Sequence, residues 1–328
     1  MSLGYERLNL KILITGGLGY LGGRLAQYLS QINHEVIVTT RNQYKTYKHL
    51  ENVNIYKIDW NDELSIKKAC KNCDVVIHAA GINANSCASD PISAIQFNGV
   101  ATARLLRSAI SCNVTNFIYF STAHVYSKNL SGLINENSQV TNLHPYATSH
   151  KSGEDAVLYQ TQKGEINGIV FRISNGFGAP IDPNIDCWSL FVNDLCRQAI
   201  ISNKINLRTS GLQYRNFIPI QDLSKIVEFF LLYEKQKDFD DLPIFNIGSA
   251  SSISLYDMAL LIADYYKETY GRKIKIERKK VTSSNKESIQ SNLIYSNDKL
   301  TKVMGITYDN TKNEILSLFK FCDTQYRI

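Results

Sequence analysis

The stretch LKILITGGLGYLG, residues 10–22, decides how the chain is read. Its opening, LKILIT (10–15), is a short continuous apolar run. Such a run marks a strand buried on both faces, as the strands of a parallel sheet are. The continuation, TGGLGYLG (15–22), sets Gly16, Gly19 and Gly22 three apart. It follows the strand directly and opens a helix, LGGRLAQYLSQ (21–31). Glycines let the backbone turn sharply and approach a pyrophosphate closely, and the helix N-terminus adds N–H donors and a positive dipole end. A glycine triplet alone is a weak signal. Between strand and helix near the N-terminus it is a strong one for dinucleotide binding.

Working outward, the same rhythm repeats. EVIVTT (35–40), VNIYKID (53–59), DVVIHAA (74–80), NFIYFST (116–122) and INGIVFRIS (166–174) read as further buried strands. Helical periodicity fills DELSIKKACK (62–71), PISAIQFNGVATARLLRSAIS (91–111) and YATSHKSGEDAVLYQTQ (146–162). Repeated β-α units with crossover helices predict an α/β protein with a doubly wound parallel sheet. After residue 175 the rhythm breaks at Gly176, Gly178, Pro180 and Pro183. A helix over roughly 186–203 and a hairpin-like stretch, INLRTSGLQYRNFIPI, are expected beyond it. Residues 1–175, with returns near 214–250, are read as the dinucleotide-binding domain. Residues 176–328 are read as a smaller mixed substrate-binding region interleaved with the first.

The 328 residues are 44% hydrophobic and 20% charged, ordinary values for a soluble globular chain. No apolar run approaches the ~20 residues of a membrane span. The N-terminus lacks the pattern of a signal peptide, and the first few residues read as a tag remnant or a disordered lead. Net charge is +6, with a small cluster at Lys273–Lys280. Without interleaved aromatics this is a solvated basic surface rather than a nucleic-acid face, and a mild positive field suits an anionic small substrate. The seven cysteines form no framework, which argues for reduced thiols and a cytoplasmic protein. The lone pair Cys70 and Cys73 has no partner set at zinc spacing, so no metal is expected.

The end of the second strand usually reads the adenosine ribose. An acid there accepts from the 2′-OH of NAD, whereas a nearby arginine accommodates the 2′-phosphate of NADP. Here Thr40 stands at the acid's place and Arg41 follows, which leans NAD(P) usage toward NADP.

The glycine loop and the motifs after it resemble the extended short-chain dehydrogenase/reductases, especially nucleotide-sugar epimerases, dehydratases and reductases. The likeness covers most of the chain and implies a Rossmann-type fold. It implies a cofactor cradle at Gly16, Gly19, Tyr20, Leu21 and Gly22. In KIDW, Asp59 matches the residue that holds the adenine amino group, with Trp60 beside it. DVVIHAAG (74–81) looks like the fourth strand, whose Ala79, Ala80 and Gly81 line the cofactor. FNGVATARLL (97–106) resembles the next helix, with Asn98 near the nicotinamide ribose. FSTAHVY (120–126) carries Thr122 in the catalytic serine/threonine place. PYATSHKSGE (145–154) matches the Tyr-x-x-x-Lys helix. FRISNGFGAP (171–180) and YRNFIPIQDL (214–223) match the substrate-side signatures, and FNIGSASSISL (245–255) a later return. Asn175 and Arg215 fall where members contact the nucleotide diphosphate, an arginine fork on phosphate being the expected chemistry. Asp186, Trp188 and Asn193 are candidates for shaping the sugar pocket, with Trp188 alternatively core.

In this family a tyrosine trades a proton with the sugar while hydride moves to or from the nicotinamide. Tyr146 is that tyrosine, and Thr122 shares the reacting oxygen. The reference tyrosine pKa of ~10 is too high for a base at neutral pH, and a nearby positive charge lowers it. The family's lysine, one helical turn on, supplies the charge and grips the nicotinamide ribose. Here His150 holds that place, since Ser149 and Glu154 keep the motif in register. Lys151 points about 100° away and is expected to face solvent or a salt bridge. His150 still has a hydrogen bond to give to the ribose and, when protonated, a charge for Tyr146. Its reference pKa near ~6.5 makes that charge conditional. A functioning site with altered pH dependence, or a slower one, is the expectation, and activity that follows a histidine-like titration would be its signature.

Sugar 4,6-dehydratases of the family carry an Asp-Glu pair just after the catalytic threonine. Ala123 and His124 stand there instead, which makes dehydration unlikely by this resemblance and leaves C4 epimerisation, C4 oxidation or ketosugar reduction. The expectation is an NAD(P)-dependent nucleotide-sugar epimerase or oxidoreductase for polysaccharide precursors, working as a homodimer. Its substrate is a nucleotide-diphosphate sugar. Two alternatives stay open: an NADPH-dependent reductase of a non-sugar carbonyl, and a non-catalytic NAD(P)-binding regulator.

Overall fold

The computed structural model describes residues 9–41, 48–233, 242–279 and 292–326. Residues 1–8, where the lead or tag remnant is read, and Lys280 lie outside them. In chain order the elements begin β1 (Lys11–Thr15), α1 (Tyr20–Gln31), β2 (Glu35–Thr40), β3 (Val53–Lys57), α2 (Glu63–Cys70) and β4 (Val75–His78). Next come α3 (Ala84–Ser89), α4 (Pro91–Ala94), a π-helical turn (Ile95–Val100), α5 (Ala101–Ser111), β5 (Asn116–Thr122), β6 (Gly132–Ile134), α6 (Pro145–Gln162) and β7 (Asn167–Ile173). The remainder is β8 (Asn175–Phe177), α7 (Phe191–Ser202), β9 (Lys204–Leu207), β10 (Tyr214–Arg215), β11 (Phe217–Pro219), α8 (Ile220–Phe230), β12 (Ile244–Ile247), β13 (Ile253–Ser254), α9 (Leu255–Tyr270), β14 (Lys275–Arg278), β15 (Leu293–Tyr295), α10 (Asp298–Met304) and α11 (Thr311–Tyr326).

The central sheet has seven strands in the order β12-β7-β5-β4-β1-β2-β3. The pairs of β1 with β2 and β4, of β2 with β3 and of β4 with β5 are all parallel. The order reverses beside β1, which is the switch point where a doubly wound sheet opens its ligand crevice. Continuous burial along β4 and β5 explains why the sequence shows apolar runs there rather than alternation.

Two compact units partition the chain. One holds residues up to 128, 140–172 and 224–245; the other holds 129–139, 173–223 and 246 onward. The first unit's core joins Leu13, Ile66, Val76, Leu105, Phe117 and Val170. The second packs Phe177, Leu195, Phe217, Met258, Ile262 and Phe319. Each such side chain, fully buried, contributes roughly 1.5–3 kcal/mol.

Three sequence expectations change. The single helix over 91–111 is α4, the π turn and α5 in succession; periodicity in the sequence cannot register one widened turn. The hairpin around 205–220 is absent: β9 pairs with β14 and β11 with β8, both parallel, while β10 pairs with β13. Local pattern marked strands but not their distant partners. The helix expected from 186 begins at Phe191, because residues 187–190 close a separate turn in which Leu190 N–H bonds Cys187 O. Among the described residues no helix is long and apolar enough to cross a membrane.

Candidate active site

The turn from β1 into α1 is tight because it has to be. Gly16 sits at φ +71°, and a Cβ there would lie 2.8 Å from the Ala80 backbone. Any side chain would push apart the ends of β1 and β4. Gly19 N–H bonds Gly16 O at 2.9 Å, and Gly19 caps α1 with no side-chain hydrogen bond. Tyr20, Leu21 and Gly22 form the first turn of the helix. Bare backbone at a helix N-terminus beside a strand end fits a pyrophosphate, so the residues present fit a dinucleotide.

A cavity of about 670 Å³ in the same unit is lined by Arg41, Asp59, Trp60, Ile82, Phe97 and Arg104, among others. Of these, Arg41, Asp59 and Trp60 were singled out in the sequence; Ile82, Phe97 and Arg104 were not. The Arg41 guanidinium lies 4.9 Å from the Phe97 ring centre, and Trp60 meets Phe97 edge-on at 5.6 Å. Arg104 donates to Trp60 O at 3.0 Å. Asp59 is exposed and accepts from Asn61 N–H at 2.9 Å. Thr40 ends β2 and accepts at its carbonyl from Ile58 N–H at 2.9 Å.

Helix α6 carries the proposed chemistry on its buried face. Ala147, Ser149, His150, Gly153, Glu154, Val157 and Leu158 are all buried. Three polar side chains on that face need partners, and each has one. Ser149 Oγ accepts from Asn98 Nδ2 at 3.0 Å, and Asn98 Oδ1 in turn accepts from Ile82 N–H at 3.0 Å. Asn98 therefore ties the loop after β4 to α6. Its place in the π turn was not legible in the sequence. Glu154 receives Arg172 through two hydrogen bonds, at 3.0 and 2.7 Å, and Ser121 Oγ at 2.5 Å. Arg172 also stacks on Tyr126, 4.7 Å from its ring centre. The pair locks α6 to β5 and β7.

Tyr146 and His150 face each other edge-on with ring centres 4.6 Å apart. Thr122 ends β5 and caps the short turn after it by accepting from His124 N–H at 3.2 Å. Burial raises the Tyr146 pKa above its usual value, with Thr122 pulling it down and Cys87 pushing it up. Burial alone lowers His150 to about 4. Burial thus works against the conditional charge on His150 and favours the neutral ring at neutral pH. Lys151 pairs with Asp155 on the outer face of α6.

A buried string of hydrogen bonds runs behind His150. Thr102 Oγ donates its one proton to Asn98 O at 2.6 Å, so toward His78 it is an acceptor. His78 Nε2–H then donates to Thr102 at 2.8 Å, and His78 Nδ1 accepts from Thr15 Oγ at 2.6 Å. Burial first, then His150, lowers His78 to about 3. Tyr119 OH lies 3.1 Å from His150 Nδ1. The strand patterns bury His78 and Tyr119, but only the fold reveals that they meet.

In the second unit, Asn175 on β8 donates through Nδ2 to Asn216 O at 2.8 Å. Arg215 Nη1 donates to Tyr214 O at 3.3 Å, and burial lowers its pKa. The two candidates thus flank Asn216. Asn193 instead clamps Gly178, accepting from its N–H at 3.1 Å and donating to its carbonyl at 3.2 Å. Trp188 donates to Pro183 O at 3.1 Å and packs on Phe321 and Tyr326. Asp186 is exposed. Cys70 and Cys73 are buried, and burial pushes the Cys73 thiol up to about 11. Among the described residues no group of three His, Cys, Asp or Glu side chains is placed to hold a metal ion.

Sheet order, glycine turn and the tyrosine helix define a doubly wound α/β protein built around a dinucleotide. Residues 12–248 match the NAD dependent epimerase/dehydratase family, and the protein belongs to it. A putative UDP-glucose 4-epimerase of Methanocaldococcus jannaschii is 26% identical over 256 residues, covering 75% of this chain and 79% of the relative. A dTDP-D-glucose 4,6-dehydratase of Dictyostelium discoideum is 28% identical over 276 residues, 76% of this chain and 60% of the relative. A solved UDP-N-acetylglucosamine 4-epimerase from Methanobrevibacter ruminantium, in complex with UDP-N-acetylmuramic acid, has a TM-score of 0.79 at 20% identity, covering 97% of this chain and 99% of that one. That likeness establishes the fold.

Proposed function

We propose that the chain is an NAD(P)-dependent nucleotide-sugar enzyme that moves a hydride and a proton at a sugar hydroxyl or keto carbon, C4 in the first instance. The observation that carries the reading is Tyr146 set edge-on against His150, with Thr122 pulling its pKa down, within the unit that holds the glycine turn. When bound, the dinucleotide supplies or takes up the hydride. Tyr146 moves the proton at the sugar oxygen, and Thr122 shares that oxygen. His150 offers an uncharged N–H to the ribose. Asn175 and Arg215 belong to the substrate region and take the diphosphate. Ala123 and His124 offer no carboxylate after Thr122, which favours epimerisation or simple redox over dehydration.

Arg41, held over Phe97 at the rim of the cavity, supports NADP and with it ketosugar reduction. A homodimer serving polysaccharide precursor synthesis completes the proposal. The test is to purify the protein without added cofactor, denature it and identify released dinucleotide and sugar nucleotide by mass spectrometry. A panel of UDP- and dTDP-sugars is then assayed for interconversion. Retained NAD(H) with C4 interconversion supports internal redox and overturns the reading of Arg41. An empty site that prefers NADPH supports reduction. Dinucleotide binding with no turnover on any sugar refutes the enzyme reading.

A further inference from the structure

The lysine of the family's helix is a histidine here, and a histidine needs its tautomer set. The side of the ring that carries Nδ1 is closed by Tyr119, whose hydroxyl lies 3.1 Å away. The Cε1–Nε2 edge faces the exposed Gly81: a Cβ built there would lie 3.4 Å from Cε1 and 3.6 Å from Nε2. The two ring nitrogens thus face different tasks, one inward to a buried phenol and one toward the β4 loop.

We propose that Tyr119 is a positioning residue that donates its proton to His150 Nδ1 and so holds the His150 proton on Nε2, aimed past Gly81 at the dinucleotide ribose. The inference rests on the dinucleotide reading above. Three observations carry it. A proton on Nδ1 would force Tyr119 to accept there and to send its own proton to His150 O, a poorer contact at 3.4 Å. Burial, above all, raises the Tyr119 pKa well above its usual value, so the phenol keeps its proton to give. Room for the hydroxyl has been left on α6, since a Cβ on Gly153 would lie 2.4 Å from Tyr119 Oη. Which nitrogen of a histidine carries the proton is set by the bond the other one makes. A fixed tautomer gives a directed donor where a mobile lysine charge has been lost.

Ring nitrogen NMR of protein labelled with 15N-histidine tests this without dinucleotide. Comparison with His150→Gln assigns the His150 pair among the six histidines. The expected signature at neutral pH is a neutral ring protonated on Nε2, which shifts toward the Nδ1 form in Tyr119→Phe. An imidazolium, an Nδ1–H ring, or a signature unchanged in Tyr119→Phe overturns the proposal. A double-mutant cycle on dinucleotide affinity by calorimetry tests the ribose contact. Tyr119→Phe should weaken binding about fivefold in the native background, the worth of one hydrogen bond. It should be silent with His150→Leu, whereas a merely structural tyrosine would weaken both alike and refute the coupling. Wild-type protein that binds neither NAD nor NADP sinks the dinucleotide reading and the ribose contact with it, while the NMR result still decides the tautomer.

Discussion

Acid should unfold this protein earlier than its carboxylates alone would. His78 and His150 are buried as neutral rings, lowered by burial to about 3 and about 4. In the unfolded chain both return to a value near ~6.5. A group whose folded pKa is depressed adds its full stability above its unfolded pKa and loses it as pH falls toward the folded one. For these rings the window opens near ~6.5 and closes at about 4 and about 3. Through it unfolding takes up two protons, a slope approaching ~2.7 kcal/mol per pH unit. From about pH 6.5 to about pH 5 the integrated loss is roughly 3 kcal/mol, against a typical total of 5–15. Above about pH 5 ordinary carboxylates remain ionised in both states and contribute little. The assay is urea unfolding followed by Trp60 fluorescence in a Trp188→Phe background, which leaves a single reporter of the two tryptophans, with Trp60 5.9 Å from the His78 ring. His150→Gln should halve the slope. Stability that stays flat within ~0.5 kcal/mol across this range would refute the burial of two neutral imidazoles.

Tyr146→Phe should cut turnover by about 10²–10⁴ while nucleotide-sugar affinity, read by calorimetry, changes only a few-fold. Gly16→Ala should abolish measurable dinucleotide binding, because the added methyl meets the Ala80 backbone at 2.8 Å from a φ of +71°; full affinity in that variant would remove the glycine turn from the site. Arg172→Met leaves Glu154 buried without its partner and should cost about 3–5 kcal/mol, seen as a fall in the urea midpoint. The raised Tyr146 pKa and neutral His150 predict that the sugar-oxidising rate climbs with pH from 6 to 9 with no inflection near ~6.5; a histidine-like step in that profile would contradict it.

How much of this was legible beforehand follows from which interactions are local. β1, the glycine turn and β5 were read from short windows because burial on both faces and a phosphate turn leave local marks. Tyr146 and His150 share one helix, so helical spacing alone placed them together. Thr122 was found only through the family resemblance, since nothing in its own strand demands that it reach Tyr146. The partners of the helix's polar face were hidden for the same reason: Glu154 meets Arg172 and His150 meets Tyr119, 18 and 31 residues apart in sequence. The resemblance set Asn98 near the nicotinamide ribose, but its bonds to Ile82 N–H and Ser149 Oγ were hidden, because the turn that aims it is π-helical. The second unit's strands were misread as a hairpin because each pairs with a strand distant in sequence, which leaves no local signature.

The exchange of lysine for histidine changes the kind of help that Tyr146 receives. An ammonium lowers a phenol's pKa through its charge, which acts at distance and tolerates a loose side chain. A neutral imidazole brings no charge, so it acts only by a hydrogen bond, which demands direction. The surroundings of His150 answer that demand: one nitrogen sits against a buried phenol, and behind it a string from Thr15 through His78 and Thr102 to Asn98 has a single consistent set of donors. The cost falls on Tyr146, which stays protonated and is better suited to give a proton to a keto oxygen than to take one from a hydroxyl. That asymmetry, with Arg41 set beside Phe97, is what the proposed reductive direction would draw on.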